Sequence, residues 1–167
     1  MTGRIEHTRV LGIVASSRGI GFAVMEGKNT LVDWGAKMLT GDKNAASLSN
    51  ITKLIRQYRP DAIALENTRP NRSERGERVQ ALAYEIAALA RSYNITVARF
   101  TRKQLNRALI PDKRGTKYAV AEYLAARYPQ ELGLRLPRKR RNYDNEDPRM
   151  DLFDAVALAE HFLRTRR

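Results

Sequence analysis

The stretch "RMDLFDAVALAEHF", residues 149–162, decides how the rest of the chain is read. Ala155, Val156 and Leu158 mark a packed helix, yet Asp151 and Asp154 project together from its first turn, because residues three apart on a helix are neighbours. The helix dipole favours negative charge at that end, which accounts for Asp151 alone. Asp154 lies among apolar neighbours, where a carboxylate without a counter-ion is costly. A Mg²⁺ ion resolves the conflict, since clustered carboxylates and water are what it accepts. A third candidate ligand is Glu66, at the carboxyl end of the apolar run "DAIALEN" (61–67). An acid there points into the crevice beyond a sheet edge, where α/β proteins bind ligands. The plain alternative is a strand-end acid that meets solvent.

Working outward, the first third reads as three strands, "RVLGIVA" (9–15), "GIGFAVMEG" (19–27) and "TLVDWGAKML" (30–39). The short turns "SSR" and "GKN" between them predict consecutive antiparallel hairpins. Leu48, Ile51, Leu54 and Ile55 recur at helical spacing within 44–60, and Pro60 stops that helix. Residues 61–67 then read as an interior parallel strand. A helix over about 76–93, a strand at 95–100 and helices at 101–109 and 116–128 follow. A charged loop with three prolines is expected at 129–148, and a last helix from Pro148 closes the chain. There are no internal repeats. The fold class is α/β: one domain over 1–167, a five-stranded mixed sheet with its first three strands antiparallel, and helices on both faces.

Composition narrows the function. The 167 residues hold 31 Lys+Arg against 18 Asp+Glu, a net charge of +13, and no cysteine. Disulfides and cysteine-ligated metals are excluded. No apolar run is long enough to span a bilayer and the start lacks a secretory segment, so a cytoplasmic protein without membrane contact is expected. The positive surplus favours a polyanion partner, nucleic acid first, because cations that neutralise phosphates release condensed counterions. Arg69, Arg72, Arg75 and Arg78 follow Glu66 in "TRPNRSERGERVQ". Arg102, Lys103, Arg107, Lys113, Arg114 and Lys117 form a second basic set, and Arg135 and 138–141 a third, with Tyr143 available to stack on a base. Solvated surface charge is the alternative for each, most of all for 138–141. The closing "RTRR" complements the end of the last helix. Trp34 and Phe22 read as core, and His161 as a packing or surface residue.

Taken together, "VLGI…SRGIGFAV", "LIRQYRPDAIALEN" and the C-terminal D-x-x-D-A-x-A-L-A resemble the RuvC-like branch of the RNase H superfamily, which includes Holliday junction resolvases. The resemblance runs over nearly the whole chain. It implies the mixed sheet above, often a homodimer, and hydrolysis of phosphodiesters in branched or structured DNA with Mg²⁺ or Mn²⁺. Glu66, Asp151 and Asp154 would match three of the family's four metal-binding acids, and Lys117 its active-site or phosphate-contacting base. The fourth acid is missing. The family's strand-1 aspartate, typically within "GIDPGSR", is replaced by Val14 of "GIVASSR". Two-metal hydrolysis places ions about 4 Å apart to clamp the attacking and leaving oxygens. Valine offers no ligand atom, and the sequence places neither Glu26 nor Asp33 within reach. The expectation is therefore a RuvC-like endonuclease impaired at a degenerate position 14, or a binding module of the same fold that does not cut.

Overall fold

Five strands form the sheet in a computed structural model that describes residues 8–67, 74–112, 115–141 and 145–166. They are β1 (Arg9–Ala15), β2 (Gly19–Glu26), β3 (Thr30–Met38), β4 (Ala62–Glu66) and β5 (Thr96–Phe100), in the spatial order β3-β2-β1-β4-β5. β1, β2 and β3 pair antiparallel, whereas β4 is parallel to both β1 and β5. The mixed sheet is the one expected from the sequence.

The helices are α1 (Lys43–Tyr58), α2 (Glu74–Ser92), α3 (Arg102–Leu109), α4 (Lys117–Arg127), α5 (Pro129–Leu132) and α6 (Met150–Thr165). Local chemistry sets their ends. Asp42 caps α1 by accepting from the amide of Ala45 at 3.1 Å, and Arg59 leaves it at φ 46°, ahead of Pro60. Thr101 and Gln104 exchange bonds in a capping box that starts α3. Thr116 caps α4 through the Ala119 amide at 3.0 Å. Two expectations are corrected. Residues 129–135 are not loop but α5 and a 3₁₀ turn (Gly133–Arg135), and the last helix starts at Met150 rather than at Pro148.

Strand alternation divides the core in two. Leu11, Ile13, Ile63 and Leu65 pack under α1 and α2, with Ile51, Ile55, Leu82 and Ile86. Val10, Val14, Ala62 and Ala64 pack on the other face, under α3, α4 and α6. Phe22 lies in the first cluster, and Trp34 packs against the second. α6 is buried along nearly its whole length because it lies directly on β1 and β2. Two glycines allow this. A Cβ on Gly12 would stand 2.2 Å from the Ala155 carbonyl oxygen, and one on Gly21 would stand 2.2 Å from that of Asp151. Gly21 pairs in register with Val14, so position 14 faces the start of α6.

This contact yields a test. Gly12→Ala must push α6 away from the sheet, and overpacking of that kind costs about 1–3 kcal/mol. Urea unfolding followed by circular dichroism should show that loss; an unchanged midpoint would contradict the close approach.

Candidate functional site

β1, β4 and β5 run parallel, so their carboxyl ends share one edge of the sheet, and α6 begins at that edge. Asp151 Oδ2 accepts a hydrogen bond from Ser16 Oγ at 2.7 Å, in the turn after β1, while its Oδ1 meets Arg18 Nη2 at 2.9 Å. Its oxygens are thus engaged across the fold instead of capping their own helix. One turn along, Asp154 is buried, with Arg102 Nη2 at 2.8 Å from Oδ1 and Lys117 Nζ at 3.4 Å from Oδ2. Arg102 Nε also lies 3.8 Å from Glu66 Oε1. Glu146 Oε1 completes the set, 3.2 Å from Arg18 and 3.7 Å from Lys117. The side chains therefore alternate in sign along one path: Glu66, Arg102, Asp154, Lys117, Glu146, Arg18, Asp151.

Backbone features place each member. The Asn67 amide donates to the Phe100 carbonyl at 2.7 Å, which holds the end of β4, and so Glu66, beside the start of α3. The capping box fixes the direction in which Arg102 leaves α3. Lys117 is the first residue of α4, set by the Thr116 cap. The turn that carries Ser16 and Arg18 is tied down from the opposite face. Arg78 donates to the Ser16 carbonyl at 2.9 Å, and Lys43 donates to the Ser17 carbonyl.

Burial is the largest influence on two of the acids. It pushes the Glu66 carboxyl above its ordinary pKa, opposed by Arg102 and reinforced by Asp154. Asp151 is likewise raised by burial, against the lowering effects of the Ser16 hydrogen bond and the Arg18 charge. Arg102 is held by charge more than by aligned hydrogen bonds: none of its buried guanidinium nitrogens makes a hydrogen bond of good geometry, and neither does Asp154 Oδ2.

The structure brings Glu66, Asp151 and Asp154 onto one ion-paired path at this sheet edge, here called the pocket, with Lys117 among them. The counter-charge that a buried Asp154 requires is present in Arg102 and Lys117, where the sequence reading turned to a metal ion. The donor set does not fit a two-metal centre. Val14 contributes no oxygen, and among the described residues no group of three or more His, Asp or Glu side chains is arranged to hold an ion. Glu26 and Asp33 are no substitutes: Glu26 pairs with Arg9 at the opposite end of β1, at 3.3 Å, and Asp33 accepts from Tyr58.

Arg102, expected on the nucleic-acid surface, turns inward, whereas Lys103 and Arg107 of α3 are exposed. Arg78 also turns inward, and Arg164 of the closing basic tail pairs with buried Glu160 at 3.1 Å. Arg69, Arg72, Lys113, Arg114, Tyr143 and the side chain of Arg75 lie outside the described residues. Sequence reasoning missed Arg18 and Glu146. Arg18 was visible as the charged residue of the tight turn after the first strand, and Glu146 as an acid within "DNEDP".

No family model matches the chain, and no curated protein matches it by sequence. Solved structures do. RuvC of Thermus thermophilus, in complex with a Holliday junction substrate, aligns at a TM-score of 0.72 and 20% identity, over 96% of each chain. The yeast mitochondrial Holliday junction resolvase Ydc2 aligns at 0.67 and 16% identity, over 94% of this chain and 78% of its own. Fowlpox virus resolvase, solved with Holliday junction DNA, gives 0.56 at 13% identity over 93% and 99%. The fold is RNase H-like. Within that class its architecture is like that of RuvC over the 96% of the chain that aligns.

Two stability tests follow from the pocket. Asp154→Ala strands Arg102 and Lys117 beside an empty space and should cost about 3–5 kcal/mol, the usual result of breaking a buried pair from one side. Glu66→Gln should act the other way. Its folded pKa is raised, so its contribution is full below the ordinary carboxylate range and is lost as pH climbs through the folded value. The Gln variant should thus melt above the parent at neutral pH, and its advantage should vanish near about pH 4. Melting curves across pH decide both.

Proposed function

We propose that this chain is a RuvC-type DNA-binding protein that holds branched DNA over the mouth of the pocket without cutting it. The observation that supports this reading most directly is the alternating ion path: the acids that would serve hydrolysis are engaged by Arg18, Arg102 and Lys117. The surroundings suit a phosphate backbone. Lys103 and Arg107, with Arg102, line an open concavity of about 550 Å³ on one side of the pocket. Lys117, Arg138, Lys139 and Arg140, together with Glu146 and Asp147, line another of about 320 Å³, and the Tyr118 hydroxyl donates to the Pro137 carbonyl at 2.8 Å, which holds that basic segment against α4. Such contacts position a backbone without reading its sequence. Structures of this fold were solved with Holliday junction DNA, which makes a branched substrate the first choice. Paired as a homodimer, the chain would offer two such surfaces to the arms of one junction. No helix among the described residues is long and apolar enough to cross a membrane.

The second reading is an endonuclease dependent on Mg²⁺ or Mn²⁺, favoured by the convergence of Glu66, Asp151 and Asp154 on one site. In it those acids would hold the ions that supply Lewis-acid and water-activating chemistry, and Lys117 would contact the phosphate. Val14 and the internal cations weigh against it.

Fluorescence anisotropy with a labelled four-way junction separates the readings from each other and from incidental charge. Binding should exceed that of a duplex of equal length, and it should fall by a thousandfold or so between about 50 and about 200 mM salt if about six to ten phosphates are neutralised. Gel analysis of the same junction with Mg²⁺ or Mn²⁺ should show no strand scission. Efficient scission would establish the endonuclease, and salt-independent or absent binding would remove both.

A further inference from the structure

The pocket has more than one reason to reject a divalent ion, and the second is not visible in the missing carboxylate. Every acid in it already has a cationic group within 4 Å, from Asp154–Arg102 at 2.8 Å to Glu66–Arg102 at 3.8 Å. Arg102 is the central obstacle, because it contacts both Glu66 and Asp154, the acids contributed by different elements. Mg²⁺ requires oxygens at about 2.0–2.1 Å in near-octahedral order and gives up its own water reluctantly. To enter, it would have to displace a guanidinium from a buried carboxylate and remain beside two further fixed positive charges.

We propose that Arg18, Arg102 and Lys117 act as the resident counter-charges of this pocket in place of divalent ions, and that Arg102 is the group that keeps such ions out. For the DNA contact this rests on the function proposed above: a phosphate at the mouth meets the half-exposed ammonium of Lys117, while the buried guanidinium of Arg102 stays with the acids. Binding then needs no divalent ion. The loss of the carboxylate at position 14 and the presence of Arg102 are separate barriers, so restoring the acid alone does not create a metal site. Position 14 is the right place for that acid, since its side chain lies on the α6 face, opposite Gly21, whose missing side chain lets the Asp151 backbone approach.

The decisive experiment is Mn²⁺ binding without DNA, measured by electron paramagnetic resonance and calorimetry on the full chain, Val14→Asp, Arg102→Leu and the double variant, with circular dichroism to confirm folding. The parent, Val14→Asp and Arg102→Leu should show no site tighter than about 1 mM, and the double variant should gain one at least about tenfold tighter. Should the leucine form not fold, Val14→Asp with Arg102→Gln keeps a neutral hydrogen-bonding group there and is read the same way. A parent site that disappears with Asp154→Asn overturns the proposal. So does a tight site in Val14→Asp alone, which would make the missing carboxylate the whole cause, or no site in a folded double variant. Junction affinity is compared in EDTA and in Mg²⁺ at matched ionic strength: equal values support the proposal, and a tenfold gain in Mg²⁺ overturns it. Absence of junction binding in both buffers defeats the proposed function instead, and the Mn²⁺ measurements still decide this inference.

Discussion

Two aspartates buried under a sheet edge organise this end of the molecule. Asp151 and Asp154 lie where α6 meets β1 and β2, and an ionised carboxylate there is tolerable only with counter-charge close by. The chain meets that demand from separated segments: Arg18 in the turn after β1, Arg102 at the start of α3 and Lys117 at the start of α4. Glu146, just before α6, then bridges two of those cations. Residues far apart in sequence are thereby held around one point by charge, and the three helix starts that border the pocket owe their relative positions to it.

Helix α6 is fixed at its other end by the same principle. Glu160 is buried there and accepts from Tyr128 Oη at 2.8 Å, with Arg127 and Arg164 as its ion-pair partners. The burial and the neighbouring carboxylate together push the Tyr128 phenol well above its ordinary range, so it stays a donor at any ordinary pH. His161 packs edge-on against Phe100 with ring centroids 4.5 Å apart, while burial, with Arg164, lowers its pKa and favours the neutral ring. Between these ends, Gly12 and Gly21 let the helix backbone touch the sheet. Depth comes from absent side chains, and direction comes from paired charges.

Much of this was legible in the sequence. Alternating and helical periodicities place the strands and most helices, because burial on one face leaves a pattern in the chain. Glu66, Asp151 and Asp154 were legible as candidates from strand polarity and helix spacing, and their convergence as what the family resemblance implied. Their partners were not. Arg18, Arg102 and Glu146 look like ordinary surface charges in one dimension, since nothing local says whether a long side chain turns outward to solvent or inward to an acid on another element. Arg102 and Arg78 were both read as surface contacts for this reason, and both turn inward. The short helix at 129–132 was hidden by the prolines and charges around it, although proline at a first helical position is compatible with a helix start.

What distinguishes a fixed organic cation from a divalent ion is the range of its chemistry. A guanidinium or an ammonium neutralises a carboxylate and donates to a phosphate oxygen, so it serves binding as well as an ion does. It does not bring water toward deprotonation at neutral pH, and it cannot hold attacking and leaving oxygens on a shared centre. In the function proposed above, replacing one with the other keeps the hold on a polyanion and gives up the hydrolytic step. Val14 and Arg102 contribute separately to one charge balance: with no carboxylate at position 14, Glu66, Glu146, Asp151 and Asp154 share Arg18, Arg102 and Lys117 as their counter-charges.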